Sequence, residues 1–218
     1  SSAASDVYKR QGNDKPRTYP KWNLMQGDFL ARFAAAGFTT EQVDTVLCTH
    51  MHVDHVGWNT RWVDGRWQPT FPRAQYLFAE DEWHHWRQEA QEYGPVIEDS
   101  VQPIFDAGQA VIVAQQHQVT DEVSLQPTPG HTPGHVSVRI QSRGEVAIIT
   151  GDMIHHPCQI AHPQWSTLAD TDPRAAAQTR GDFLQRYGDQ PVLVIGTHFA
   201  APTAGHIVKD GNSYRLDY

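Results

Sequence analysis

Four short apolar runs in this chain each lead into residues that bind metals, and this recurrence limits the fold more than any other feature of the sequence. Residues 45–49 lead into His50-Met51-His52-Val53-Asp54-His55, and residues 123–126 into Thr128-Pro129-Gly130-His131-Thr132-Pro133-Gly134-His135. Residues 146–150 lead into Gly151-Asp152, and residues 192–195 into Gly196-Thr197-His198. Apolar runs of this length bounded by Gly and Pro read as buried strands. Their ends must therefore collect at one pole of a sheet if the ligands are to meet.

Imidazole nitrogen and carboxylate oxygen suit a borderline divalent ion such as zinc. In extended backbone alternate side chains share a face, so His50 and His52 can reach one ion together. Where the chain then turns into a loop or helix start, Asp54 and His55 are re-aimed toward a second ion. Pro and Gly at both ends of the 128–135 segment fix a sharp turn that presents His131. A carboxylate such as Asp152 at the end of a buried strand is costly unless a cation neutralises it. The plain alternative for residues 50–55 is a His-rich surface loop, and the three matching pieces downstream argue against it.

These motifs together resemble the metallo-β-lactamase superfamily, whose pattern is HxHxDH, a His in a PGHT turn, an Asp and a final His. The resemblance runs from about Gly12 to Tyr218. It implies an α/β fold, the αββα sandwich, with two divalent metal ions, zinc by default. It implies that His50, His52 and His131 hold one ion, that Asp54, His55 and His198 hold the other, and that Asp152 bridges them. His135 is then left to packing or support. The chemistry implied is hydrolysis by a hydroxide held between the metals, with Asp54 orienting it and passing its proton on.

The N-terminus reads differently. Asp6-Val7-Tyr8-Lys9-Arg10-Gln11 looks like a translated transposon mosaic-end adapter of the kind used in sequencing libraries. Residues 1–11 are therefore expected to be a non-native tail and residues 12–218 a hydrolase domain missing its first strands. That loss would leave an exposed apolar face and an unpaired sheet edge.

With 218 residues, 39% hydrophobic, the chain can bury a sizeable core. No run approaches the roughly 18 apolar residues of a membrane helix. Its 17 basic against 25 acidic residues, a formal net charge of −8, disfavour nucleic acid as a partner. A small-molecule substrate is expected, with a homodimer left open. Cys48 and Cys158 make no disulfide framework, and Cys48 reads as a small core residue. Cytoplasmic location is the default, although a lost start could have carried a signal peptide.

Amphipathic spacing predicts a helix over 26–36 stopped by Gly37, a strand at 75–79 and a helix over 80–92. Strands follow at 111–113, 123–126, 136–141, 146–150 and 192–195. A helix over 173–187 has Asp172 as N-cap and Pro173 at its first position. A closing hairpin pairs 206–209 with 213–216 around Asp210-Gly211-Asn212.

The bond that is cut depends on the pocket, not the metals. Trp58, Trp62, Trp67, Trp83 and Trp86 would serve equally as an aromatic wall or as packing. The stretch Gly151-Asp152-Met153-Ile154-His155-His156-Pro157 resembles the branch containing methyl parathion hydrolase and the quorum-quenching lactonases. Acyl-homoserine lactonases commonly carry Tyr where this chain has His155, which is expected to take over as donor to the substrate oxygen. An ester, lactone or phosphotriester of a small, apolar molecule is thus the expected substrate. A β-lactamase or thioesterase, or a metal-binding chain without turnover, stays open. His84, His85, His117, His156, His162 and His206 are expected to be structural.

Overall fold

The computed structural model describes residues 14–88 and 94–218. The tail expected at 1–11 and the last turn of the helix expected over 80–92 lie outside the described residues. The chain divides into two compact units, one running up to Phe78 and including Trp83–Ile112, the other comprising Ala79–Glu82 and Val113–Tyr218.

In the first unit, α1 (Phe29–Ala35) is shorter than expected. Gly27 and Asp28 disfavour a helix interior, so the helix begins after them, with Asp28 at the N-cap. It buries Phe29 against Trp58 and Phe71, with ring centroids 5.4 and 6.4 Å away. Strand β1 (Thr45–Leu47) is followed by a one-turn helix, α2 (Val53–Val56). Next comes a hairpin of β2 (Thr60–Val63) and β3 (Arg66–Pro69), then β4 (Gln75–Ala79) and α3 (Glu80–Trp86), of which Ala79–Glu82 belong to the second unit. Two short helices, α4 (Val96–Ser100) and α5 (Gln102–Asp106), precede β5 (Ala110–Val113).

Among the described residues the sheet order is β1-β4-β5, and β1 runs parallel to β4 with Val46 opposite Tyr76. The β2–β3 hairpin was not anticipated, although Asp64-Gly65 signals it. Both residues have positive φ, 51° and 77°, as a tight hairpin turn requires. The tryptophans divide accordingly. Trp58 is core, Trp83 stacks on Phe105, and Trp62 and Trp67 pair across the hairpin at 5.0 Å.

A buried polar cluster anchors this unit. Arg17 makes a fork to Asp99, Nη1 to Oδ2 at 2.6 Å and Nη2 to Oδ1 at 3.0 Å. Lys15 Nζ donates to Thr60 Oγ1, Ser100 Oγ and the Asp99 carbonyl at 2.6 to 2.9 Å. Burial pushes the Lys15 ammonium down from 10.5 to about 7, against the pull of Asp99. The unfolded chain keeps this proton up to 10.5 while the folded chain releases it above about 7, so the unfolded state holds more protons in that window. Stability should therefore rise with pH across it, by up to about 1.4 kcal/mol per pH unit. Urea unfolding midpoints at pH 7 to 10 test this, and Lys15→Met should flatten the rise.

In the second unit, β6 (Val123–Pro127), β7 (Val136–Ser142) and β8 (Glu145–Ile149) form a meander. After α6 (Cys158–Ala161) and α7 (Pro173–Tyr187), β9 (Val192–Ile195), β10 (Ala204–Asp210) and β11 (Ser213–Asp217) complete the sheet. The six strands run in the order β11-β10-β9-β8-β7-β6. Pairing is antiparallel except between β8 and β9, where Ile149 lies opposite Ile195.

Helix α7 begins as its sequence demands, with Asp172 accepting from the N–H groups of Arg174 and Ala175 at 3.0 Å. Its Phe183 and Leu184 join Ile148, Val194, Ile207 and Leu216 in one core. The other sheet face carries Ile140, Ala147 and Leu193 along a groove, with Leu193 36% exposed. No helix among the described residues is long and apolar enough to cross a membrane.

Candidate metal centre

Each unit contributes a set of candidate ligands, built by different local devices. In the first, β1 delivers His50, whose Nδ1 lies 3.1 Å from Thr49 Oγ1. Helix α2 then starts at Val53, and Val53 and Val56 turn inward to the core. That commitment swings Asp54 and His55 off the core side of the helix, as the expected change from extended to helical backbone requires. The rings of His50 and His52 are 4.8 Å apart, those of His50 and His55 4.0 Å, and His55 Nε2 is 3.6 Å from Asp54 Oδ2. Trp86 lies edge-on to His52 at 5.1 Å, so one of the five tryptophans does touch an expected ligand.

In the second unit, strand polarity does the work. Strands β8 and β9 are parallel with Ile149 opposite Ile195, and Asp152 and His198 each lie three residues beyond that pair. Parallel register thus places both ligands past the same end, where His198 Nε2 stands 3.0 Å from Asp152 Oδ2. Strand β7 is antiparallel to β8, so its beginning, and the turn holding His131, lie at that end too.

The turn is held by close backbone approach. Gly130 has φ +128°, and a Cβ there would come 2.2 Å from the Ala176 nitrogen, while a Cβ on Gly134 would come 2.0 Å from the Glu82 nitrogen. Only glycine fits either place. Thr132 adds a 2.7 Å hydrogen bond to the buried Glu82 carboxylate.

Both ring nitrogens of His135 are engaged in hydrogen bonds. Its Nε2 accepts from the Asp152 N–H at 3.0 Å, so its proton sits on Nδ1 and is donated to Thr128 Oγ1 at 2.8 Å. Thr128 continues to Ser137 Oγ and Ser137 to the Thr150 carbonyl, each at 3.0 Å. Every donor in this chain has an acceptor, and the turn carrying Asp152 is fixed by it.

His131 is arranged oppositely. Its Nδ1 donates to Asp170 Oδ1 at 3.0 Å, which leaves the Nε2 lone pair facing Asp152 Oδ2 at 3.6 Å. Burial lowers the His131 pKa in spite of Asp170 and Asp152, so the ring is neutral at neutral pH. Burial alone would raise that of Asp170, but the hydrogen bonds from His131 and the Thr167 N–H and the charge of Arg180 bring it below the usual range. Two acceptors facing each other in a buried site repel unless a cation lies between them, and this donor set suits a divalent ion. His155 Nε2 also approaches Asp152 Oδ2, at 3.3 Å, and its ligand atom lies within 4.8 Å of those of His131 and Asp152.

Asp170 and Arg180 escaped sequence reasoning, since neither lies in a motif. His162 stacks on Trp165, His206 bonds the Val192 carbonyl, and His156 Nδ1 accepts from the Cys158 N–H.

Comparison with known proteins agrees with this chemistry. The chain is 29% identical over 107 residues to an N-acyl homoserine lactonase from Bacillus sp., a match covering 49% of this chain and 36% of that relative's length. Among solved structures, the hydrolase AbOPH of the beta lactamase superfamily aligns with a TM-score of 0.77 at 26% identity, over 92% of this chain and 72% of its own. AidC, a dizinc quorum-quenching lactonase in complex with an N-acylated L-homoserine product, aligns with a TM-score of 0.76 at 22% identity, over 88% and 70%. The sequence profile of the Metallo-beta-lactamase superfamily matches residues 20–203, which include every candidate metal ligand from His50 to His198, and to that superfamily the chain belongs.

Proposed function

We propose that this protein is a metal-dependent hydrolase that cleaves a lactone, ester or phosphotriester bond of a small molecule. In this reading His50, His52 and His131 hold one divalent ion, Asp54, His55 and His198 a second, and Asp152 serves both. The observation that carries it is the surrounding of Asp152 Oδ2 by the Nε2 atoms of His198, His155 and His131, at 3.0, 3.3 and 3.6 Å. Such an array holds together best around a cation. Zinc suits donors of this kind, and bound divalent ions would bring a water acidified from about 15.7 toward about 7 and polarise the substrate oxygen.

The residues do the rest. Asp54, whose side chain is 16% exposed against 4% for Asp152, is the carboxylate able to receive a proton and return it to the leaving group. Asp152 is held by its backbone to His135 and keeps its orientation through the reaction. His155 faces the same carboxylate oxygen and stands as the third catalytic residue. A lactone is favoured within the class because the curated relative and the AidC structure are both lactonases.

The test is to strip the purified chain with a chelator and reload it with zinc. Each form is assayed on an acyl-homoserine lactone, an aryl ester, a phosphotriester and a β-lactam, with metal analysis alongside. Hydrolysis of the lactone that disappears on chelation and returns with zinc is expected. Fully loaded protein inert toward all four substrates would refute a hydrolase, and turnover indifferent to chelation would refute the metal.

A further inference from the structure

We infer that Asp170 and Arg180 form a buried positioning unit that aims two of the proposed metal ligands, His131 and Asp152, from behind; this rests on the metal reading above. Asp170 accepts the Nδ1 proton of His131 at 3.0 Å, and its side chain has no solvent exposure. A neutral imidazole has one N–H, so this bond dictates that Nε2 presents its lone pair. Without it the ring could rotate or carry its proton on the ligating nitrogen. A carboxylate behind a histidine ligand in this way also raises the basicity of the ligating nitrogen.

Arg180 extends the device. It is fully buried on α7 and donates to Asp170 Oδ2 and to the Met153 carbonyl from Nη1, at 3.4 and 3.3 Å. Its Nε donates to the Pro163 carbonyl at 2.8 Å and its Nη2 to Ser166 Oγ at 3.1 Å. Met153 directly follows Asp152 on the same tight turn. One guanidinium therefore grips the carboxylate that aims His131 and the backbone that carries Asp152. A lysine cannot span these directions, because its ammonium is a point charge without a planar fork. Thr167 completes Asp170, its N–H donating to Oδ2 at 3.2 Å.

The experiment compares the wild-type chain with Arg180→Lys, Asp170→Asn and a control at an exposed arginine of β11, Arg215→Ala, each checked for folding by circular dichroism. Zinc and cobalt affinities are measured by competition with a chromophoric chelator. Arg180→Lys should weaken metal binding roughly 10- to 100-fold and alter the cobalt visible spectrum. Asp170→Asn keeps an acceptor oxygen and should lose less, while Arg215→Ala should stay within about twofold of wild type. Histidine ¹⁵N spectra of the metal-free wild type should show His131 as the Nδ1–H tautomer, a readout that needs no variant. His131 found as the Nε2–H tautomer overturns the inference. Wild-type affinity in a folded Arg180→Lys chain also overturns it and leaves the hydrolase reading intact, whereas a wild type that binds neither metal overturns both.

Discussion

Asp152→Ala should lower kcat/KM by about 10³-fold or more and reduce bound zinc, while leaving the fold in place. Metal stabilisation of transition-state charge contributes several kcal/mol, and each 1.36 kcal/mol is about tenfold in rate. Three imidazoles converge on Asp152 Oδ2, so its removal takes away the one anionic donor they share in their unit. Neutral nitrogens alone compensate a divalent charge poorly. The turn should survive because it is the backbone N–H of residue 152 that bonds His135 Nε2, and alanine keeps that group. Asp152→Asn retains the shape without the charge and should fall between the two. Steady-state kinetics on whichever substrate the zinc-restored protein hydrolyses, with metal content measured on the same samples, decides the matter. Near-wild-type turnover at full metal load would remove Asp152 from the mechanism.

What the sequence disclosed and what it hid follow from range. The apolar runs that end in ligands are local signals, and strand polarity converts them into geometry: residues three beyond Ile149 and Ile195 meet because β8 and β9 are parallel. The start of α7 was equally legible, because Asp172 and Pro173 satisfy its first turn from adjacent positions. Asp170 was not. It lies 39 residues from His131 in a segment without periodicity, and only the tertiary fold shows that its oxygen meets a ring nitrogen. The pairing of Lys15 with Asp99, 84 residues apart, is of the same kind. The β2–β3 hairpin is signalled locally by Asp64-Gly65, but Trp62 and Trp67 beside that turn serve equally as an aromatic wall or as packing, and only the fold shows them paired across a hairpin.

Asp99→Ala should be the most destabilising single change in the first unit, at about 3–5 kcal/mol, because it leaves buried cations without their counter-charge. Asp99 is 3% exposed and its carboxylate receives both arms of Arg17 and lies 3.4 Å from Lys15 Nζ. Arg17 cannot shed its proton, so its cost persists at every accessible pH. Lys15 can, and does so more readily once the carboxylate that raises its pKa is gone. Part of the loss should therefore be recovered as pH rises past neutrality, whereas the Arg17 part should not. Adding Arg17→Met to Asp99→Ala removes the stranded guanidinium and should restore some stability, since an apolar replacement of a buried ion pair is often nearly neutral. Urea unfolding of wild type, single and double variants at pH 6.5 and 9 separates these contributions. A loss below about 1 kcal/mol for Asp99→Ala would mean that water reaches this cluster and that its charges are solvated in the folded chain.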